Sequence, residues 1–167
     1  MNGRQLVKAQ GRSRGAAPAA AREKVLLFRI GEAVYGIGIG GLWEVLPLDG
    51  VTGLPTPPHQ VCTSLAYRGR TLPLIRLPEL FEASGTAVPP SARVLLIHAL
   101  GRPLGLLVDE VLEMTDIDPR RIGSVPSAAT QLSPAFFRGI VRDSDRVVIL
   151  LNGDGLAGMA DVAAFDA

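Results

Sequence analysis

The residues of this chain that most resemble a chemical site form a glycine cluster after an apolar run. Gly36-Ile-Gly38-Ile-Gly-Gly41 matches the G-x-G-x-x-G fingerprint of dinucleotide-binding folds. That fingerprint binds pyrophosphate only where it leads from a strand into a helix. Pro47 follows six residues later, and no acidic residue stands where one would bind a ribose. Close backbone packing in a β-barrel explains these glycines better than nucleotide binding does.

The metal-ligand and nucleophile types are isolated from one another. His59 and His98 are the only histidines, and neither belongs to a set of three or four Cys, His or paired carboxylates at metal-ligand spacing. Cys62 is the single cysteine, so an internal disulfide is excluded, and no basic neighbour in the sequence lowers its pKa. We therefore predict neither a metal site nor a cofactor.

Asp109-Glu110 and Glu113 form an acidic cluster, and paired carboxylates can act as general acid and base. Adjacent strand residues point to opposite faces, so Asp109 and Glu110 would not converge on one substrate. A solvated strand edge that resists unwanted pairing is the better interpretation. Ser64, Ser124 and Ser133 lack the strained Gly-x-Ser-x-Gly setting of a nucleophile elbow. The sequence therefore predicts no catalytic residues and no enzyme.

Charge is divided unevenly along the chain. Residues 1–24 hold six basic residues and one acidic residue (+5), which leaves eleven basic and fifteen acidic residues (−4) in 25–167. We predict a disordered basic tail at 1–22 and a net-acidic folded body, which disfavours nucleic acid as a partner. No apolar run approaches the length that spans a bilayer, so we expect no direct membrane insertion. The single cysteine favours a reducing, cytoplasmic compartment.

Short apolar segments closed by Gly, Pro or Asp predict an all-β fold. Short helical segments are expected at 78–81 and 156–165. The ten predicted strands are Val25–Ile30, Val34–Ile39, Glu44–Leu48, Gln60–Tyr67, Arg70–Leu77, Arg93–Ala99, Pro103–Val108, Val111–Ile117, Phe136–Arg142 and Arg146–Leu151.

The chain also repeats itself. The segment 25–31 resembles 94–101, and each copy leads to an acidic residue followed by valine, Glu44-Val45 and Glu110-Val111. We predict two halves of five strands, joined near 82–91, with a groove between two related surfaces.

A second pair of segments fixes the offset of the repeat. Arg70–Ile75 matches Arg146–Leu151 at an offset of 76, whereas Tyr67-Arg-Gly69 resembles Phe137-Arg-Gly139 at an offset of 70. We prefer 76, because it aligns a whole strand.

Charged residues at element ends suggest a surface feature. Glu44 follows Trp43, and Arg68 lies at a predicted hairpin tip where Gly69 supplies the positive φ. Trp43 could be core and both charges surface, or Glu44 and Arg68 could pair, fix the hairpin and present a partner-binding face. We find no clean charged counterparts of this pair in the second half.

Five phrases, in order over about 25–156, make the chain similar to the CheW-like family of chemotaxis adaptors. The resemblance implies two intertwined five-stranded SH3-like barrels over 23–156, followed by a tail or short helix at 157–167. The phrases are Phe28-Arg-Ile-Gly-Glu-Ala-Val-Tyr-Gly-Ile37, Leu42-Trp-Glu-Val45, Arg68-Gly69 with Leu72-Pro-Leu-Ile75, Gly105-Leu-Leu-Val-Asp-Glu-Val111 and Arg146-Val-Val-Ile-Leu-Leu151.

The resemblance also implies a non-enzymatic coupling protein without a cofactor. Its partners would be the cytoplasmic tip of methyl-accepting chemoreceptors and the regulatory domain of a CheA-type histidine kinase. Kinase docking would fall on the first barrel and receptor contact in the groove between the barrels. Leu42 and Glu44 match the binding segment of the family and Arg68-Gly69 its hairpin, while Ile37, Ile39 and Val108 would lie in the groove or the core.

The chain departs from the usual pattern of the family at several positions. Gly38 and Arg76 replace aspartates, and Thr63 and Ala66 replace the Gly and Asn ahead of the hairpin. A diverged scaffold in a non-flagellar pathway therefore stays open, as does a β-barrel that binds a small ligand or nucleic acid.

Overall fold

The computed structural model describes residues 21–48, 61–82, 88–126 and 132–166, with side chains up to Met159. Most of the predicted basic tail, and His59, lie outside these residues. All ten predicted strands are present, with ends shifted by a few residues. They are β1 (Glu23–Ile30), β2 (Ala33–Gly38), β3 (Leu42–Pro47), β4 (Cys62–Tyr67), β5 (Arg70–Arg76), β6 (Arg93–Ala99), β7 (Arg102–Val108), β8 (Glu110–Ile117), β9 (Phe137–Asp143) and β10 (Arg146–Leu151); the helices are α1 (Leu77–Leu80) and α2 (Gly153–Asp166).

The strands form two five-stranded sheets that exchange chain segments. The first sheet has the order β8-β1-β2-β10-β9 and the second the order β3-β6-β7-β5-β4. Each sheet therefore contains strands from both halves of the sequence, so the intertwined SH3-like arrangement is confirmed. The chain changes sheet at the 3-10 turn Ile39–Gly41 and at Asp109. The segment 82–91 connects β5 to β6, which both belong to the second sheet.

The sheet topology repeats as the sequence does. Strands β1 to β5 correspond in order to strands β6 to β10. When every strand is exchanged for its counterpart, the strand order of the first sheet becomes that of the second sheet. The hairpins pair Tyr67 with Arg70 and Asp143 with Arg146, which confirms the offset of 76. The offset of 70 is wrong, because it would align the end of one hairpin strand with the beginning of the other.

Side chains of β1 alternate between two hydrophobic cores. Val25 and Leu27 point into a core enclosed by the first sheet, whereas Leu26, Phe28 and Ile30 enter a central core between the sheets. Strand β6 does the same on the second sheet. Both faces of these strands are buried, which explains their nearly continuous apolar sequence. Burying one such side chain contributes about 1.5–3 kcal/mol.

Helix α2 covers one end of the central core through Leu156 and Ala157. It begins three residues before the predicted helix, because the Asn152 side chain accepts hydrogen bonds from the backbone N–H groups of Asp154 (3.1 Å) and Gly155 (3.4 Å). The boundary predicted at residue 156 falls inside this helix.

The glycines of the nucleotide-like fingerprint lie where other groups approach the backbone closely. A Cβ on Gly36 would stand 3.1 Å from Leu150, and one on Gly41 would stand 2.5 Å from the backbone oxygen of His98. No helix follows them; the short 3-10 turn leads directly into β3. Packing in the barrel therefore explains these positions.

We predict that Gly41→Ala destabilises the fold by about 1–3 kcal/mol, because the carbonyl of His98 is part of β6 and cannot turn aside. Gly40→Ala is the matched control, since a Cβ there meets nothing within 4 Å. Urea unfolding followed by circular dichroism measures both variants. Equal stability of the two would contradict the packing explanation.

Candidate partner-binding site

A cleft of about 200 Å³ opens where the two sheets meet. Its apolar wall includes Ile37, Ile97 and Leu151, and its rim carries polar side chains. We call it the inter-sheet cleft; it is lined by Ile37, Gly38, Gly40, Gly41, Ile97, His98, Ala99, Arg138, Leu151, Asn152, Gly153 and Asp154. Gly40 is exposed, with open space around its Cα, so a partner could approach the backbone there.

The three apolar residues predicted for the groove or the core are divided between the two. Val108 is fully buried in the central core, and Ile37 is 5% exposed there while also reaching the cleft wall. Ile39 is half-buried in the turn between the sheets and packs against the same core. Val108 therefore serves the core, because no part of its side chain can reach a partner.

Glu44 and Arg68 approach each other, as one interpretation of the sequence proposed. Arg68 Nη2 lies 3.9 Å from Glu44 Oε1, and Tyr67 donates a short hydrogen bond from its hydroxyl to the same oxygen. The Arg68 guanidinium stands 5.0 Å from the centre of the Tyr67 ring. Since β3 and β4 are opposite edges of the second sheet, these contacts help to close the barrel.

A β-bulge at Trp43 explains how two consecutive side chains reach the same hairpin. Leu42 pairs with Ile97 and Glu44 with Leu96, so Trp43 is the extra residue. The Trp43 ring packs edge-on against Tyr67, with centroids 5.5 Å apart, and stays 41% exposed. We call Trp43, Glu44, Tyr67 and Arg68 the aromatic bridge.

The hairpin of the aromatic bridge has the predicted geometry. Arg68 and Gly69 both have positive φ, 48° and 76°, as a two-residue type I′ turn requires. A Cβ at Gly69 would meet nothing within 4 Å, so close packing does not require glycine there. Its role is to form the turn that presents Arg68. Leu42 is half-buried at the start of β3, beside the cleft glycines.

The aromatic bridge and the inter-sheet cleft adjoin each other through His98. The imidazole lies 5.3 Å from the Trp43 ring, and the same residue lines the cleft. The two features therefore adjoin at His98, with the aromatic bridge on the second sheet and the cleft at the junction of the sheets.

The expectation that Glu44 has no charged counterpart in the second half is wrong. The bulge in β8 falls at Leu112, so the pairing with β1 makes Glu113, not Glu110, equivalent to Glu44. Arg146 donates a 2.7 Å hydrogen bond to Glu113 and thereby closes the first sheet. The repeated segments 25–31 and 94–101 begin 69 residues apart, and applying that spacing to Glu44 gives Glu113.

Asp109 and Glu110 each accept a hydrogen bond from the β1–β2 hairpin. The Gly31 N–H donates to Asp109 at 2.7 Å, and Arg29 donates to Glu110 at 3.0 Å. Both carboxylates thus hold the β1–β2 hairpin at the point where the chain changes sheet. Strand β8 is nevertheless an edge of the first sheet and the Glu110 side chain stays 43% exposed, so the predicted solvated edge agrees with the position of Glu110.

Two departures from the family pattern have local partners. Arg138 and Glu23 form a two-pronged ion pair beside Gly38, where a Cβ would stand 2.9 Å from the Glu23 carboxylate. Arg76 is buried and lies 3.3 Å from Glu79. Gly38 thus leaves room for the charged pair beside it, and Arg76 is itself one member of a charged pair, so the fold accommodates both departures.

The remaining reactive residue types show no catalytic arrangement among the described residues. Burial raises the pKa of the Cys62 thiol, which keeps it protonated. No cluster of three or more His, Cys, Asp or Glu in the described part of the chain could hold a metal ion.

We predict that Glu44→Ala lowers the alkaline titration midpoint of Tyr67. The hydrogen bond to Glu44, followed by partial burial, raises the pKa of this hydroxyl, because ionisation would place two negative charges together. Absorbance of tyrosinate measures the effect, since Tyr35 is the only other tyrosine and its pKa is raised by burial alone.

Glu113→Ala is the control for the tyrosine titration, because it removes the equivalent carboxylate from the other sheet. It should leave both midpoints unchanged. An unaltered Tyr67 midpoint in Glu44→Ala would contradict the hydrogen bond as the cause.

Comparison with known proteins agrees with this architecture. A family model described as CheW-like domain matches residues 24–161. The chemotaxis protein CheW of Klebsiella aerogenes is 25% identical over 144 residues, covering 86% of this chain and 87% of that protein. The chemotaxis protein CheW of Rhizobium meliloti is 26% identical over 135 residues, covering 80% of this chain and 86% of that protein.

A solved structure matches as well. The crystal structure of the scaffolding protein TtCheW from Thermoanaerobacter tengcongensis superimposes with a TM-score of 0.67 at 29% identity, covering 78% of this chain and 84% of that one. The match of a family model to most of the chain, on the two-sheet fold described above, shows that the chain belongs to the CheW-like domain family.

Proposed function

We propose that this protein is a non-enzymatic adaptor that couples the cytoplasmic tip of a chemoreceptor to the regulatory domain of a CheA-type histidine kinase. Its family membership and its relatives, named as chemotaxis and scaffolding proteins, support this role. The observation that carries the proposal is the pair of adjoining but separate surfaces, the inter-sheet cleft and the aromatic bridge. Such a protein acts by holding two partners and requires no turnover.

A cytoplasmic location belongs to the same proposal. No helix in the described ranges is long and apolar enough to cross a membrane. Both proposed partners present their contact surfaces in the cytoplasm, where this adaptor would meet them.

The receptor tip is assigned to the inter-sheet cleft. Gly40, which has open space beside it, lets a partner backbone come close, and the apolar wall beyond it offers area for burial. His98 and Arg138 at the rim supply polar contacts that fix orientation. A helical receptor tip with small and apolar residues on one face fits this combination.

The kinase regulatory domain is assigned to the aromatic bridge, which joins β3 and β4 of the second sheet; among the strands that the structure describes, no barrel consists of the first half of the chain alone. Exposed Trp43, half-buried Tyr67 and 74% exposed Arg68 are of the residue types that dominate binding energy at protein interfaces. Val45, 37% exposed on the same strand, adds apolar area. Because Glu44 holds Tyr67 and Arg68 in position, this face is ordered before a partner binds.

Glu44→Ala and Arg68→Ala should each weaken binding of the kinase regulatory domain by about tenfold, the effect of losing an interface hot spot. Isothermal titration calorimetry with the kinase domain from the same cell measures the affinity. Glu113→Ala and Arg146→Ala, which open the equivalent bridge of the first sheet, are the matched controls and should bind normally. Equal loss in all four variants would indicate general destabilisation and contradict the assignment of the kinase to the aromatic bridge.

Gly40→Trp should abolish receptor binding while kinase binding persists, because the new ring would fill the cleft from a position with open space around it. Co-sedimentation with receptor cytoplasmic fragments measures the first interaction, and calorimetry the second. Gly40→Ala is the control and should retain both. Normal receptor binding by a folded Gly40→Trp variant would contradict the cleft as the receptor site.

A further inference from the structure

A second cavity lies at the end of the second sheet, where two hairpins stand side by side. Strands β5 and β7 are parallel neighbours with Leu74 opposite Gly105, so Arg70 and Arg102 begin their strands at the same end. A cavity of about 210 Å³ opens there, and we call it the hairpin pocket. It shares only Ala99 with the inter-sheet cleft and is lined by residues 70–73, 99, 102–104 and 157.

The hairpin pocket has an apolar interior that is large enough for an aromatic ring. Leu72 and Leu104 are almost fully buried behind it, and Pro73, Pro103 and Ala157 complete the wall. A cavity of roughly 150 Å³ is enough to accept a benzene ring. The hairpin pocket can therefore take one aromatic side chain.

The charge around the hairpin pocket is positive on a body that is net acidic. Among the residues that the structure describes, Arg70 and Arg102 are the charged ones that line the cavity, and none of the carboxylates described there does. Arg70 is exposed and forms no ion pair with any residue in the described ranges. Asp154, at the start of α2, uses a carboxylate oxygen to accept the N–H of Leu100 at 3.1 Å. The pocket therefore complements a ligand that carries negative charge beside an apolar group.

The tip of the β6–β7 hairpin adds an unusual residue next to this pocket. Leu100 has a φ of 54° and is 55% exposed, the largest exposure among the large apolar residues described. Leucine is disfavoured at positive φ, and glycine would form the same type I′ turn without strain. A strained, exposed apolar residue between Ala99 and Arg102, which both line the pocket, indicates a contact with a partner.

We propose that the hairpin pocket is a docking site for an acidic peptide segment of a partner protein, which inserts one aromatic side chain between Arg70 and Arg102. A carboxylate beside the aromatic residue would pair with the Arg70 guanidinium, and Leu100 would cover the peptide from the hairpin tip. This site goes beyond the proposed adaptor function, and it depends on neither the cleft nor the aromatic bridge.

Fluorescence anisotropy with a labelled Glu-Glu-Phe-Glu-Glu peptide tests the site on the full chain. Arg70→Glu should weaken binding by about tenfold or more, because it places like charges together. Arg70→Gln should weaken it less, and Arg142→Glu, an exposed change on β9, should leave it unchanged. Affinity should also fall with added salt, since the charges are exposed.

Three results of the peptide titration would overturn the proposal: no binding by the folded wild-type chain, equal binding by Arg70→Glu, or equal binding of a Glu-Glu-Gly-Glu-Glu peptide. The last result would reduce the interaction to general charge attraction. Circular dichroism of each variant establishes that it is folded.

Leu100→Gly separates stability from binding at the same site. Removing the strained leucine should raise the midpoint of thermal unfolding, because glycine adopts positive φ freely. The same variant should bind the phenylalanine peptide more weakly, since the apolar cover is gone. A stabilised variant with unchanged affinity would contradict the role assigned to Leu100.

Discussion

The central core between the two sheets is the constraint on which the rest of the structure depends. Strands β1 and β6 present one face to it and the other to a core of their own sheet. Because each half of the chain supplies strands to both sheets, neither sheet can form from one half alone. The two crossings, at Ile39–Gly41 and Asp109, must therefore lie beside this core, and the cleft opens at the first of them.

Closure of the two barrels follows from the same repeat. In each sheet a bulged edge strand carries a glutamate that meets an arginine from the hairpin on the opposite side. The two closures differ in their surroundings. Glu113 meets an arginine at close range, whereas Glu44 also holds Tyr67 and lies next to exposed Trp43. The fold thus closes both sheets with a glutamate–arginine pair. Of these two described pairs, only the one in the second sheet is surrounded by aromatic rings, which makes it a candidate partner surface.

Much of this architecture could be predicted from the sequence because it is encoded locally. Alternating apolar segments and Gly-containing turns indicated ten strands, and the internal repeat indicated two related units. Bulges are not encoded so plainly. An acidic residue followed by valine suggested Glu110 as the partner of Glu44 in the repeat, whereas the extra residue in β8 makes it Glu113. The burial of Val108 likewise depends on packing between sheets, which the strand pattern alone does not give.

The central claim is that one small protein holds two partners on adjoining but separate surfaces. The most direct measurement is calorimetric titration of the receptor fragment into the protein already saturated with the kinase regulatory domain. The account predicts a ternary complex, with an affinity for the receptor close to that of the protein alone. Displacement of the kinase domain by the receptor fragment would contradict it, because the two partners would then share one site.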